Sequence, residues 1–182
     1  MASGLISVRQ GRKYFGDIQA VDGVDLDIQA GEIFGLIGHN GAGKSTLFKM
    51  LLGLLPVTSG EIHIHGQAVT GAGFREVRRQ IGYLPENVVL YDNLSGLETL
   101  HFFADLKGVD RAQAASLLEK VGLTHAAGRR VRGYSKGMRQ RLGFAQALLG
   151  QPKLLFLDEP TNGLDPEGIR EFYRILNELK AE

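Results

Sequence analysis

Apolar residues along this chain switch between a spacing of two and a spacing of three to four, and the switches mark out the elements. Residues 5–9 (LISVR) are expected to form a short strand. In residues 21–29, Val24, Leu26 and Ile28 alternate with polar neighbours, the pattern of a half-buried strand. A turn at Ala30-Gly31-Glu32 leads into residues 33–38 (IFGLIG), an apolar run of strand length that enters a Gly-rich loop. From Lys44 to Leu55 the spacing becomes helical, with Leu47, Met50, Leu51 and Leu54 in register, and Pro56 and Gly60 end it. Residues 61–66 alternate again, with Ile62 and Ile64 on one face and His63 and His65 on the other. Those two histidines are read as solvent-facing, because no third metal ligand accompanies them.

Further on, residues 67–80 read as a loop and a short helix, and residues 80–85 (QIGYLP) as a strand. Helical spacing covers about 94–121, divided at Gly108, with Asp110 placed to cap the second helix. Another helix is expected over 135–149. After a Gly150-Gln151-Pro152 turn, residues 154–158 (LLFLD) form an apolar strand ending in acid. The last helix covers about 166–180, with Pro166 suited to its first turn. Apolar runs of strand length separated by helices predict an α/β fold, with the runs at 33–38 and 154–158 in a parallel sheet. The sheet-rich start predicts an N-terminal β subdomain, expected to be antiparallel, and residues from about 88 to 134 an inserted α-helical subdomain.

Composition narrows the classes. The chain has 182 residues, enough for one domain with a substantial core, and its net charge of +1 gives no reason to expect nucleic acid as a partner. Arg75, Arg78 and Arg79, and again Arg129, Arg130, Arg132, Arg139 and Arg141, form local basic clusters. They suit either a solvated helix surface or a site for phosphates or an acidic partner. With no cysteine, disulfides and thiolate metal sites are excluded. No apolar run approaches the roughly 20 residues that cross a bilayer, so membrane association is expected to come through a partner.

The chemistry lies in two places. Gly38-His39-Asn40-Gly41-Ala42-Gly43-Lys44-Ser45 matches GxxxxGK[ST] between an apolar run and a helix. Small residues there let the backbone curl so that N–H groups point at phosphate oxygens, and the helix N-terminus adds a favourable field. Lys44 is expected to reach the β- and γ-phosphates of ATP, Ser45 to ligate Mg²⁺, and Thr46 to add a hydroxyl bond. The second place is the end of the 154–158 strand. Asp158 is expected beside the magnesium ion, and Glu159 where it polarises an attacking water. Such a site acts by position and electrostatics on the transferring phosphoryl group, without a covalent intermediate.

Tyr134-Ser135-Lys136-Gly137-Met138-Arg139-Gln140 resembles the signature motif of ABC ATPases, in a variant form of the usual LSGGQ. The stretch from Asp158 through Pro160, Thr161, Asn162, Gly163 and Leu164 to Asp165-Pro166 is similar to that family's Walker B end and D-loop. The resemblance implies a P-loop NTPase (RecA-like) core and a dimer of two such domains that sandwiches two ATP molecules. In it, Ser135 and Gly137 would contact the γ-phosphate held by the partner domain, and Asp165 would support the contact between the two. Phe15 would stack on adenine, with Tyr14 as second choice. It also implies a separate integral membrane permease as partner, which would hold the chain at the inner face of the cell membrane, in the cytoplasm. The surface from Glu86 to Ser95 and the following helix would couple to that permease. Two departures stand out. Glu86 occupies the place of a Gln that senses Mg²⁺ and water; as a carboxylate it would bind the water or the ion while adding negative charge near ATP. Lys136 and Met138 replace Gly and Gln of the common signature.

Within the family, GHNGAGKST, GYLPEN, YDNLSGLETL, HFFADLKG and YSKGMRQRLGFAQALLG resemble the ATPase of copper-processing systems that mature nitrous-oxide reductase. The rival assignment is an exporter ATPase for drugs, lipids or polysaccharides. Members of the family continue past the last helix into a further buried strand and a switch histidine, and none of the five histidines here suits that role. The residues up to Glu182 are therefore expected to be less stable and slower in ATP turnover than a chain carrying those parts. Two other classes compete with transport. A regulatory or ribosome-associated ATPase would show two cassettes and a charged linker, and neither is seen; a module that binds ATP with little turnover is argued against by Glu159 for a full-length protein but not for the residues up to Glu182 alone.

Overall fold

The computed structural model describes residues 4–39 and 41–181. The chain divides into two compact units, Met1–Arg78 and Arg79–Glu182.

In the first unit, β1 (Ile6–Phe15) pairs antiparallel with β2 (Ile18–Ile28) and with β3 (Ser59–Ile64), and the two-residue β4 (Gln67–Ala68) extends the sheet in the order β2-β1-β3-β4. Ile6 stands opposite both Ile28 and Ile64, and Val8 opposite Leu26 and Ile62, so the alternation read in the sequence places one apolar row on one face. Helix α1 (Lys44–Leu51) contributes Leu47, Met50 and Leu51 to the unit's core, and α2 (Phe74–Arg79) contributes Phe74 and Val77. The antiparallel β part of the expected fold is present. β1, however, runs six residues beyond the expected 5–9, carried by pairing with β2 rather than by its own alternation.

One expectation fails. Residues 33–38 form no strand, and Ile33, Phe34 and Ile37 are exposed. A strand buried on both faces is held by ladders to its neighbours. Among the described residues none pairs with this run.

The second unit holds a two-stranded parallel sheet, β5 (Ile81–Leu84) beside β6 (Leu154–Leu157), with Ile81 opposite Leu154 and Leu84 opposite Leu157. The run at 154–158 thus pairs with 80–85, not with 33–38. Around it lie α3 (Gly96–Lys107), α4 (Gln113–Lys120), α5 (Lys136–Leu148) and α6 (Pro166–Ala181). A capping box starts α3: the Ser95 hydroxyl accepts from the Glu98 N–H, and the Glu98 carboxylate accepts from the Ser95 N–H at 2.8 Å. Asp110 caps the turn that leads into α4, its carboxylate accepting from the Ala112 N–H at 2.8 Å. Leu100, Leu118, Leu142, Phe144 and Ile175 anchor a continuous core.

Close approach of β5 to α5 depends on Gly82. A Cβ there would lie 2.2 Å from the Ala147 carbonyl oxygen and 2.6 Å from Leu155 Cδ2. Gly82→Ala is expected to cost about 3 kcal/mol, since the obstacle is helix backbone rather than a flexible side chain. In a chain of this size that lowers the thermal midpoint by about 8 °C. Calorimetry checks it, and a midpoint near that of the wild type would show that the strand can shift away.

Candidate functional site

The phosphate-loop residues belong to the first unit. Gly41 and Gly43 adopt positive φ values of 85° and 83°, a conformation that L side chains rarely take. Gly43 also precedes α1 directly, and a Cβ on it would meet the Ala20 carbonyl oxygen of β2 at 2.2 Å. No side chain caps α1, so its first N–H groups have no side-chain acceptor and face the loop. The Lys44 ammonium donates to the carbonyl oxygens of Gly38 at 2.6 Å and His39 at 3.1 Å, turning back over the loop that precedes it. Ala42 N–H donates to the His39 carbonyl at 3.1 Å and closes the turn. Ser45 is exposed and Thr46 half-buried on the first turn of α1. Asn40 lies outside the described residues.

The two candidate aromatics separate clearly. Tyr14 donates its hydroxyl to Asp22 at 2.9 Å, and that bond, with desolvation second, holds its phenol above the ordinary value. Phe15, at the β1–β2 turn, is 49% exposed, with the Lys13 ammonium over its ring 5.2 Å from the centroid.

The acidic residues belong to the second unit. Asp158 follows β6, is buried, and has its N–H bonded to the Leu84 carbonyl at 2.9 Å, which fixes its backbone to the end of β5. Tyr83 of β5 is half-buried. Burial raises its phenol, and the Asp158 and Glu86 carboxylates raise it further, so both acids act on this one side chain. Glu86 itself is exposed. Glu159 has φ 48°, left-handed for a residue with a side chain, and its carbonyl accepts from the Asn162 N–H at 3.0 Å. Asp165 caps α6, its carboxylate accepting from the Gly168 N–H at 2.9 Å.

Helix α5 carries the signature residues. Ser135 is its N-cap, accepting from the Met138 N–H at 3.2 Å. Gly137 approaches the Gly163 carbonyl so closely that a Cβ would lie 2.9 Å away. Met138 packs against the core, as expected for a helix-packing residue. Gln140 is buried and donates to the Pro160 carbonyl at 3.1 Å. Sequence reading passed over Gln140, although a signal existed: it shares helical spacing with Gly143, Phe144 and Ala147 on the buried face. A polar side chain there needs a partner.

Four of the clustered arginines act as fastenings. Arg130 bonds the Asn93 carbonyl and lies 3.6 Å from Glu98, Arg139 pairs with Asp92 at 2.6 Å, and Arg129 donates to the Gly133 carbonyl at 2.8 Å. Arg78 lies over the Phe74 ring at 5.4 Å. Among the described residues no three His, Asp or Glu side chains gather as a metal cage, and no helix is long and apolar enough to cross a membrane.

The family model described as ABC transporter matches residues 21–162. The bacitracin transport ATP-binding protein BcrA of Bacillus licheniformis is 42% identical over 181 residues, covering 99% of this chain and 59% of its own length. The lantibiotic transport ATP-binding protein SrtF of Streptococcus pyogenes is 41% identical over 178 residues, covering 98% of this chain and 76% of its own. The chain spans little more than half the length of several curated relatives that it matches. Among solved structures, the dimeric post-hydrolysis state of the ATP-binding cassette MJ0796 bound to ADP and Pi superposes with a TM-score of 0.87. It is 26% identical, with 96% of this chain and 82% of that one covered.

Proposed function

The chain belongs to the ABC transporter family as an ATP-binding domain with a P-loop NTPase fold, and on that premise we propose that it hydrolyses ATP to drive a separate membrane permease. One observation carries this reading: the Lys44 ammonium is held over the loop between Gly38 and α1, at the head of a helix whose N–H groups no side chain caps. A cation beside a glycine loop and a helix N-terminus is the combination that binds phosphate. Lys44, Gly38, His39, Asn40, Gly41, Ala42, Gly43, Ser45 and Thr46 bind the phosphates, and Phe15 stacks on adenine. Ser135 and Gly137 act on the γ-phosphate of a second copy, and Asp165 supports that contact.

Ser45 and Asp158 are the magnesium ligands, with Glu86 as the auxiliary carboxylate. Hydroxyl and carboxylate oxygens are the hard donors that Mg²⁺ takes. When bound, Mg²⁺ neutralises charge on the phosphates. Glu159 orients and deprotonates the water, and Asp158, fixed through β5, holds its carboxylate in place. Residues 88–134 form the helical part that relays movement, and the segment from Glu86 to Ser95 with α3 meets the permease at the inner face of the membrane.

For cargo, the relatives named for bacitracin and lantibiotic transport support export of a cell-wall-active peptide. The copper-enzyme maturation reading rests on the sequence stretches alone. Inactivating the gene in its host is expected to lower the tolerated concentration of bacitracin or a lantibiotic several-fold. Unchanged tolerance together with lost nitrous-oxide reduction would overturn peptide export in favour of copper-enzyme maturation.

A further inference from the structure

Helix α5 and the acidic turn after β6 touch at several points. The Lys136 ammonium donates to the Asn162 side-chain oxygen at 2.8 Å. Gly163 has φ 81°, and a Cβ there would meet the Lys136 methylenes at 2.7–3.0 Å, so the lysine stem lies flat across that turn. Gln140, buried, donates to the Pro160 carbonyl at 3.1 Å and approaches the Glu159 carbonyl at 3.5 Å. Asn162 in turn donates its N–H to the Glu159 carbonyl at 3.0 Å. Lys136, Asn162 and Gln140 therefore enclose Glu159, the one left-handed glutamate among the described residues, from two sides.

We propose that Lys136 and Asn162 form a clasp that positions Glu159 from the signature helix of the same subunit. The inference rests on the assignment of Glu159 as the base. A left-handed glutamate is strained and persists only where its surroundings over-determine it. Gln140 supplies a bond from the buried side. Lys136 supplies one from the exposed side, through Asn162 to the Glu159 carbonyl. A ligand at Ser135, the residue directly before Lys136, thus bears on the base through a path of two hydrogen bonds. Lys136 and Asn162 touch no reacting atom in this scheme; they are positioning residues.

The test is a double-mutant cycle in the full-length protein, with ATP turnover, ATP affinity and thermal midpoint measured for each variant. Lys136→Met and Asn162→Ala are each expected to lower kcat about fivefold, and the double variant no further than either single, because both remove one interaction. ATP affinity and thermal midpoint stay near wild type, which a merely structural contact would not predict. Asn162→Asp keeps an acceptor for the lysine and is expected to restore most of the rate. Normal turnover in Lys136→Met, or losses that multiply in the double variant, overturn the clasp while leaving Glu159 as base. A wild-type protein without ATP turnover overturns the functional reading, and the clasp with it.

Discussion

Glu159→Gln is expected to lower ATP turnover by about 10²–10³-fold while ATP binding is retained, the range that a positioned general base contributes. The substitution isolates basicity from shape. Glu159 is held through its backbone: its carbonyl accepts from the Asn162 N–H, and Gln140 reaches it from the buried side. An isosteric amide leaves that frame intact, and only the capacity to take a proton from water is lost. Because the scheme closes two domains around ATP and reopens them after hydrolysis, the variant is also expected to accumulate as an ATP-bound dimer. Single-turnover kinetics with size-exclusion chromatography reads both. Turnover at the wild-type rate would remove Glu159 from its role.

Lys44→Ala is expected to weaken ATP binding about 30-fold or more, as follows from losing one or two charge-assisted hydrogen bonds. Lys44 has two functions in the loop. In the proposed scheme its ammonium is the cation for the β- and γ-phosphates, and it bonds the carbonyls of Gly38 and His39. Alanine removes both. Arginine keeps the charge but presents a planar fork in place of a compact ammonium, so Lys44→Arg is expected to fall between the two. Equilibrium titration with a fluorescent ATP analogue gives the affinities. Equal affinity in the wild type and Lys44→Ala would place the phosphates elsewhere.

How far the fold could be read in advance depended on where each signal resides. Helices α5 and α6 were legible because their starts are written locally, in Ser135 as a cap and in Pro166 at a first turn. The far half of β1 was not. Residues 10–15 are mostly half-buried or exposed and carry no apolar alternation; the neighbouring strand makes them a strand. The run at 33–38 shows the converse. Its composition suits a buried strand, yet hydrophobicity supplies no ladder, and among the described residues no partner does either. The site divides in the same way. The phosphate loop and the acid pair are contiguous in sequence and legible there. The bond between Lys136 and Asn162, and the role of Gln140, join residues 20 or more positions apart and become visible only when α5 is laid against the turn after β6.

The left-handed backbone at Glu159 sets two kinds of selection against each other. Glycine or asparagine would sit more comfortably at φ 48°. Directed evolution for heat resistance alone would thus be drawn away from glutamate at this position, toward a sturdier protein that, with Glu159 as the proposed base, no longer turns over its nucleotide. An engineer seeking a robust variant should hold residue 159 fixed and look for added stability elsewhere.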